Sequence, residues 1–407
     1  MAGPLQGVKV LDLSRVLAGP WASQTLADLG ADVIKIERPG VGDDTRSWGP
    51  PYARDGGGNA TTESAYFLST NRGKKSVTID IASVEGQTIV SALSEQSDIV
   101  IENFKVGALA KYGLDYATLS SLNPRLIYCS ITGFGQAGPY SALPGYDFLI
   151  QGMGGLMSIS GHPDGAPGAG PMKTGVAVAD LFSGMYAATA ILAALHRRHA
   201  TGRGDYIDIA LLDCQVAMLA NQAMNYLTTG DAPARLGNAH PNIVPYEAFA
   251  TSDGHIILAV GNDAQFAAFC NAAGRPALSY DPRFATNPER VTNRAALIPV
   301  IAELIAERTT ADWLAALAAA HVPAGPINTL PQVFADPHVI ARGLRLDLPH
   351  PTAGSVPSVA SPIRYVSSAT TLPAAPPTLG QHTESVLAER LDLTPKDLAS
   401  LKSEHVI

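Results

Sequence analysis

Residues 7–37 read as strand, helix, strand: GVKVLDL, a helical stretch through ASQTLADLGA, then DVIKIE. Strands joined by one short helical crossover lie parallel, and the connection is right-handed. SVTIDI, DIVIEN and LIYCSIT continue the series, with EGQTIVSALSEQ and YATLSSLNP as helical connections. This alternation predicts an α/β chain with an open parallel sheet.

A nicotinamide-binding domain is the first candidate for such a sheet, and its fingerprint is missing. Between the first strand and helix stands SRVLAGPWASQ, with the single glycine Gly19 where GxGxxG is required. Glu37, ending the second strand, has the place of a ribose-binding acid but lacks the phosphate-binding glycines. The sheet is Rossmann-like and the cofactor is not.

Beyond the long apolar run Leu181–Ala194 come YIDIALLD and a helical stretch to about Tyr226, after which the composition changes. LTTGDAPARLGNAHPN reads as a linker over 227–242. YEAFATSDGHIILAVG has the alternation and the central Asp-Gly of a hairpin. Two helical stretches follow, and a second linker spans 322–338. Short strands, a loop rich in Ala and Pro, and helices at TESVLAERLD and PKDLASLKSE close the chain. The expected organisation is 1–226 as a large domain, 227–338 as a smaller inserted α+β domain with its linkers, and 339–407 returning to the large domain.

Hydrophobic residues at 46%, charged residues at 16% and a formal net charge of −8 describe a globular enzyme and argue against a general nucleic-acid binder. Cys129, Cys214 and Cys270 form no CxxC, and the ten histidines no HExxH, so neither a disulfide framework nor a metal site is expected. No signal-peptide pattern opens the chain, and Gly, Ser, Asp or Thr breaks the apolar runs before a membrane span's roughly 20 residues. A cytoplasmic protein without membrane or nucleic-acid partners is the expectation.

Several patterns carry chemical potential. Arg38 in ERPG, and Arg72, Lys74 and Lys75 in TNRGKKS, are local cation clusters suited to a phosphate or carboxylate, or to a solvated turn. GFGQAGPYSALPGYDF follows a strand, where open sheets bind ligands, and offers Tyr140 and Tyr146. Trp48 beside Arg46 makes an aromatic wall next to a guanidinium, or ordinary packing. His240 and His382 sit in loops. Asp180 opens the long apolar helix, where a carboxylate accepts orphan amide protons. A capping carboxylate is also held ionised and aimed, and as a nucleophile it needs no base.

Taken together, GVKVLDLSRVLAGP, LADLGADVIKIERPGVGDDTRSWGPP, LSTNRGKKSVTIDI, DIVIENFKVGALAKYGLDY, YCSITGFGQAGP, GYDF, AVADLFSGMYAA and LGQHT resemble the class III CoA-transferases, in order and over essentially the whole chain. The resemblance is strongest to the branch moving CoA from succinyl-CoA to glutarate or hydroxymethylglutarate. It implies an interlocked homodimer of ring-shaped chains, with coenzyme A and acyl-CoA as substrates and no permanently bound cofactor. Asp180, in VADL, matches the nucleophile, which attacks the thioester and carries CoA as an aspartyl thioester.

Val16, Ala18, Arg38, Asn103, Phe104, Lys111 and Tyr146 match CoA-contacting positions, with Tyr146 the active-site tyrosine. Arg46 and Trp48 resemble substrate-side residues, Arg72 is suited to a dicarboxylate's distal group, and Gly261 and Gln265 are lid candidates in VGNDAQF. Racemases of the same family carry a histidine where this chain has Tyr146, and a phenol does not serve as a base near neutral pH. A non-catalytic CoA-binding scaffold and transferases for malate, itaconate or oxalate are the other readings.

Overall fold

The computed structural model describes residues 3–367 and 372–407; residues 1–2 and part of the Ala/Pro-rich loop, 368–371, lie outside the described residues. The chain divides into two compact units, one of Met1–Gly154, Thr174–Leu219 and His338–Ile407, the other of Gly155–Lys173 and Ala220–Pro337. Residues 155–173, which the sequence reading left in the large domain, belong to the second unit. GHPDGAPGAGP there has no periodicity to declare its allegiance. Tertiary contacts settle it, among them the Arg235–Asp164 ion pair and Gly237 N–H donating to Gly161 O at 3.1 Å.

In the first unit the strands are β1 (Lys9–Asp12), β2 (Asp32–Glu37), a β3–β4 hairpin (Tyr52–Arg54 and Ala60–Ser64), β5 (Lys74–Thr78), β6 (Ile99–Glu102), β7 (Ile127–Thr132) and β8 (Asp205–Ala210). Helices α1 (Ala18–Asp28), α2 (Ala65–Thr70), α3 (Val84–Glu95) and α4 (Tyr116–Leu122) separate them. α5 (Asp147–Met153) and α7 (Val178–Thr201) follow β7, α6 (Leu156–Ile159) belongs to the second unit, and α8 (Leu211–Met218) follows β8.

Six strands form one sheet in the order β5–β2–β1–β6–β7–β8, every pair parallel. Strand order reverses between β1 and β6, so their carboxyl ends diverge and open a crevice there. Side chains alternate across the sheet. Val10, Ile99 and Ile101 join the core beneath α1 and α7, while Leu11 and Val100 join the one beneath α3 and the helix Thr383–Leu391.

α7 runs 24 residues and, by length and composition, is apolar enough to cross a membrane, against the expectation that its polar residues would break it. Ala187, Ile191, Ala194 and Leu195 lie against the sheet, as in a core helix. Gly184 lets α1 come close: a Cβ there would lie 2.6 Å from Ala18 O. In the second unit, β9 (Tyr246–Ala250) and β10 (His255–Ala259) form the expected hairpin, β11 (Ala324–Pro326) joins β10 antiparallel, and Phe266, Phe269 and Trp313 fill the core. β12 (Arg345–His350) and β13 (Gly354–Val359) pair in the first unit.

Candidate active site

The crevice between β1 and β6 is spanned by one side chain. Asn103, just past β6, accepts Arg15 N–H at 2.8 Å and donates to Arg15 O at 2.7 Å. The next residue, Val16, has φ of 71°, a left-handed conformation that a β-branched residue adopts at a cost of roughly 1–3 kcal/mol. Helix α1 begins two residues later. Its N-cap, Leu17, makes no side-chain cap bond.

A second loop returns to this edge. Gly133 and Gly145 meet backbone to backbone at the base of GFGQAGPYSALPGYDF, where a Cβ on Gly133 would lie 2.5 Å from Gly145 Cα. The crossing delivers Tyr146 and Asp147 to the start of α5. Asp147 Oδ1 accepts Ala179 N–H at 2.9 Å, and its Oδ2 accepts Gln151 Nε2 at 2.7 Å. Asp147 therefore caps α7 from outside, and the capping role read for Asp180 is corrected.

Asp180 is the third residue of α7 and, among the described residues, its carboxylate has no hydrogen-bond or ion-pair partner. It lines a cleft of about 210 Å³ with Val16, Leu17, Ala18, Asn103, Phe104 and Tyr146. Burial pushes the Asp180 carboxyl up to about 7, and the neighbouring Asp147 charge adds to the rise. The helix N-terminus opposes it by favouring the anion. The result is a carboxyl that loses its proton around neutrality, and its anion, poorly solvated and unpaired, is a reactive nucleophile.

An adjoining cavity of about 480 Å³ shares Arg15, Asp44 and Phe104 with the cleft and is lined further by Arg38, Lys111 and Tyr112. Arg38 and Lys111 are exposed, and the Lys111 ammonium lies 4.5 Å from the Tyr112 ring centre. The structure thus brings Asp180 and all seven positions matched to CoA contacts into two adjoining hollows, with Arg38 and Lys111 in one and Asp180 in the other.

The substrate-side residues fare differently. Arg72 forks onto Asp28, Nε to Oδ1 at 2.9 Å and Nη2 to Oδ2 at 2.5 Å, and lines neither hollow. Arg46 forks onto Glu37 with two 2.7 Å bonds and lies over the Phe67 ring at 3.6 Å. Both guanidiniums are spent inside the protein, so neither is placed to receive a substrate carboxylate. Glu37, held also by Ser76 Oγ at 2.6 Å, is equally unavailable to a ribose.

TNRGKKS is neither an anion site nor a solvated turn: Lys74 pairs with Asp12 at 3.2 Å, fully buried, and Lys75 with Asp32 at 2.8 Å. His382 accepts Ser76 N–H at 3.2 Å, a structural bond to β5. Trp48 is exposed and meets Tyr66 edge-on at 5.2 Å. Burial, with the Asp180, Asp147 and Asp43 charges, drives the Tyr66 hydroxyl up to about 12, so Trp48 stands by an uncharged phenol near the carboxylates. Gly261 and Gln265 lie in the second unit, where Gly261 N–H donates to Gln265 Oε1 at 2.7 Å.

Asp147, Tyr66 and Arg15 went unread in the sequence as functional residues. For Asp147 a signal existed, in its place beside Tyr146 in GYDF.

A parallel sheet with a carboxylate-bearing cleft at its topological switch point places the chain among the α/β proteins that bind ligands there, and comparison fixes its family. The CoA-transferase family III model matches residues 5–383, and the chain belongs to that family. It is 52% identical to the succinate–glutarate CoA-transferase of Agrobacterium fabrum, over 95% of each chain. It is 44% identical to human succinyl-CoA:glutarate CoA-transferase, over 99% of this chain and 90% of that one. Among solved structures it resembles a CAIB/BAIF family protein from Brucella suis, with TM-score 0.83 and 51% identity over 96% of this chain and all of that one. The protein is a family III CoA-transferase.

Proposed function

We propose that this enzyme moves CoA from succinyl-CoA to a dicarboxylate of the glutarate type, with Asp180 carrying CoA between the two acids. The observation that carries the reading is the unpartnered Asp180 carboxylate in the cleft adjoining the Arg38–Lys111 hollow. The names of the relatives support the choice of acids.

In the first half-reaction an Asp180 oxygen attacks the thioester carbonyl, the C–S bond breaks, and CoA leaves as thiolate. The thiolate then attacks the Asp180 carbonyl of the resulting anhydride, releasing succinate and leaving aspartyl-CoA. Glutarate reverses the sequence: its carboxylate displaces CoA from Asp180, and the thiolate takes the glutaryl group, restoring the Asp180 carboxylate. Each step exchanges bonds of similar energy, so no ATP is required, provided water is excluded.

Arg38 and Lys111 hold the CoA phosphates, Val16, Ala18, Asn103 and Phe104 border the pantetheine, and Tyr146 faces the reacting carbonyl. Trp48 borders the acid, and Gly261 and Gln265 belong to the lid. A homodimer, interlocked as the family resemblance implies, is part of this reading. Phe182, Met185 and Tyr186 on α7 and Leu149 and Met153 on α5 are exposed apolar side chains suited to a second copy. Among the described residues no histidine lines the cleft, which favours transfer over racemisation.

Mass spectrometry of the CoA pool tests the proposal, after incubation with succinyl-CoA and glutarate, hydroxymethylglutarate, malate, itaconate or oxalate. Glutaryl-CoA is the expected product. Succinyl-CoA left intact with every acid would sink the reading.

A further inference from the structure

Three consecutive residues of the turn after β1 are gripped by side chains from β2, the loop after it and the end of β6. Lys35 Nζ donates to Ser14 O at 2.7 Å. Asn103 holds both backbone groups of Arg15. Asp43 accepts Val16 N–H, at 3.2 and 3.3 Å to its two oxygens. Lys35 and Asp43 pair with each other at 2.9 Å, both side chains fully buried. Asp43 is fixed in turn by Thr45, whose N–H and hydroxyl donate to it at 3.0 and 2.8 Å.

Burial alone would raise the Asp43 carboxyl, but Lys35 and Thr45 outweigh it and hold it down at about 2, so the grip is ionic at any working pH. What the grip achieves is visible at Val16. Left to itself, a valine leaves φ of 71° for the β region. Held there, it turns the chain so that α1 starts inside the Asp180 cleft. Among the described residues the Leu17 and Ala18 N–H groups have no partner, and both residues line that cleft.

We infer that Lys35, Asp43 and Asn103 are positioning residues, which force Val16 into the left-handed turn that fixes the Leu17–Ala18 backbone beside Asp180. The inference rests on the proposed transfer chemistry for its activity readout alone. Buried ion pairs are costly ways to gain stability, and a fixed backbone shape at a reactive edge is a use that justifies one.

Glycine supplies the test, because it occupies φ of 71° without being forced. Asn103→Ala and Asp43→Asn are made alone and with Val16→Gly, and kcat, KM and the unfolding midpoint are measured. Backbone amide exchange of the segment 14–19 is followed without substrate. Asn103 is half-buried and reaches only Arg15 backbone, so its variant keeps the argument decidable if Asp43→Asn does not fold.

The expected result is a fall in kcat of at least tenfold for Asn103→Ala, with exchange of the segment at least tenfold faster. Val16→Gly alone is the reference, since its side chain also borders the cleft, and Asn103→Ala added to it should leave kcat within threefold of that reference. A lost CoA contact would instead raise KM and would not be rescued. Wild-type kcat and unchanged exchange in Asn103→Ala, or no rescue by glycine, overturns the inference. Should the wild-type protein transfer no CoA, the proposed function fails, and the exchange measurement still decides this inference.

Discussion

Asp147 caps the helix that carries Asp180: its Oδ1 accepts Ala179 N–H at 2.9 Å, one residue before Asp180 itself. One carboxylate takes the structural duty and frees the other. It also places a negative charge beside Asp180, which adds to the rise in the Asp180 carboxyl.

Asp147→Asn keeps an acceptor for Ala179 and removes that charge. The acid limb of kcat/KM for CoA transfer is expected to move to lower pH by several tenths of a unit. Loss of the bond from Gln151 lowers stability by about 1 kcal/mol. A pH–rate profile beside a thermal unfolding curve separates the two effects.

The raised Asp180 carboxyl has a signed consequence for stability. The folded state holds this proton more tightly than the unfolded chain, so ionisation costs stability as pH rises from about 4 through about 7. Asp180→Asn removes that cost. It is expected to unfold at higher temperature than wild type at pH 8, by up to about 4 kcal/mol in stability, and to match wild type at pH 4. Paired unfolding curves across that range check it.

Arg72 serves Asp28, and its fork rather than its charge is what the site uses. Arg72→Lys should lower stability by about 1–3 kcal/mol while leaving KM for the acceptor acid within twofold of wild type. A tenfold rise in that KM without destabilisation would return Arg72 to the substrate.

On the proposed placement of CoA, Arg38→Ala and Lys111→Ala each remove one charge-assisted contact, worth about 1.5–3 kcal/mol. KM for acyl-CoA should rise about tenfold in each, with kcat within twofold. The difference from wild type should narrow in high salt, which screens exposed charges. Initial-rate kinetics at two ionic strengths reads both.

The sheet was legible because its inner strands β1, β2, β6 and β7 are buried on both faces and rich in apolar residues, and because strand–helix alternation leaves few topologies. The motif positions Val16, Ala18, Arg38, Asn103, Phe104 and Lys111 were legible as places along that order. The partners of charges were not. Arg72 looks like a ligand in the sequence because Asp28 is far away along the chain, and Arg46 because no local pattern shows the turn that folds it back onto Glu37, nine residues earlier. For the same reason Asp180 reads as a cap until Asp147 arrives from another helix. Residues 155–173 join the second unit through Asp164 and Gly161, contacts that no local pattern announces.

The central claim is that Asp180 carries CoA covalently. Its most direct test is the mass of the intact protein, and of the peptide containing Asp180, after brief incubation with succinyl-CoA alone. The account expects a CoA adduct on Asp180 that added glutarate discharges as glutaryl-CoA, and no adduct in Asp180→Ala. Glutaryl-CoA formed at the wild-type rate by Asp180→Ala would contradict it.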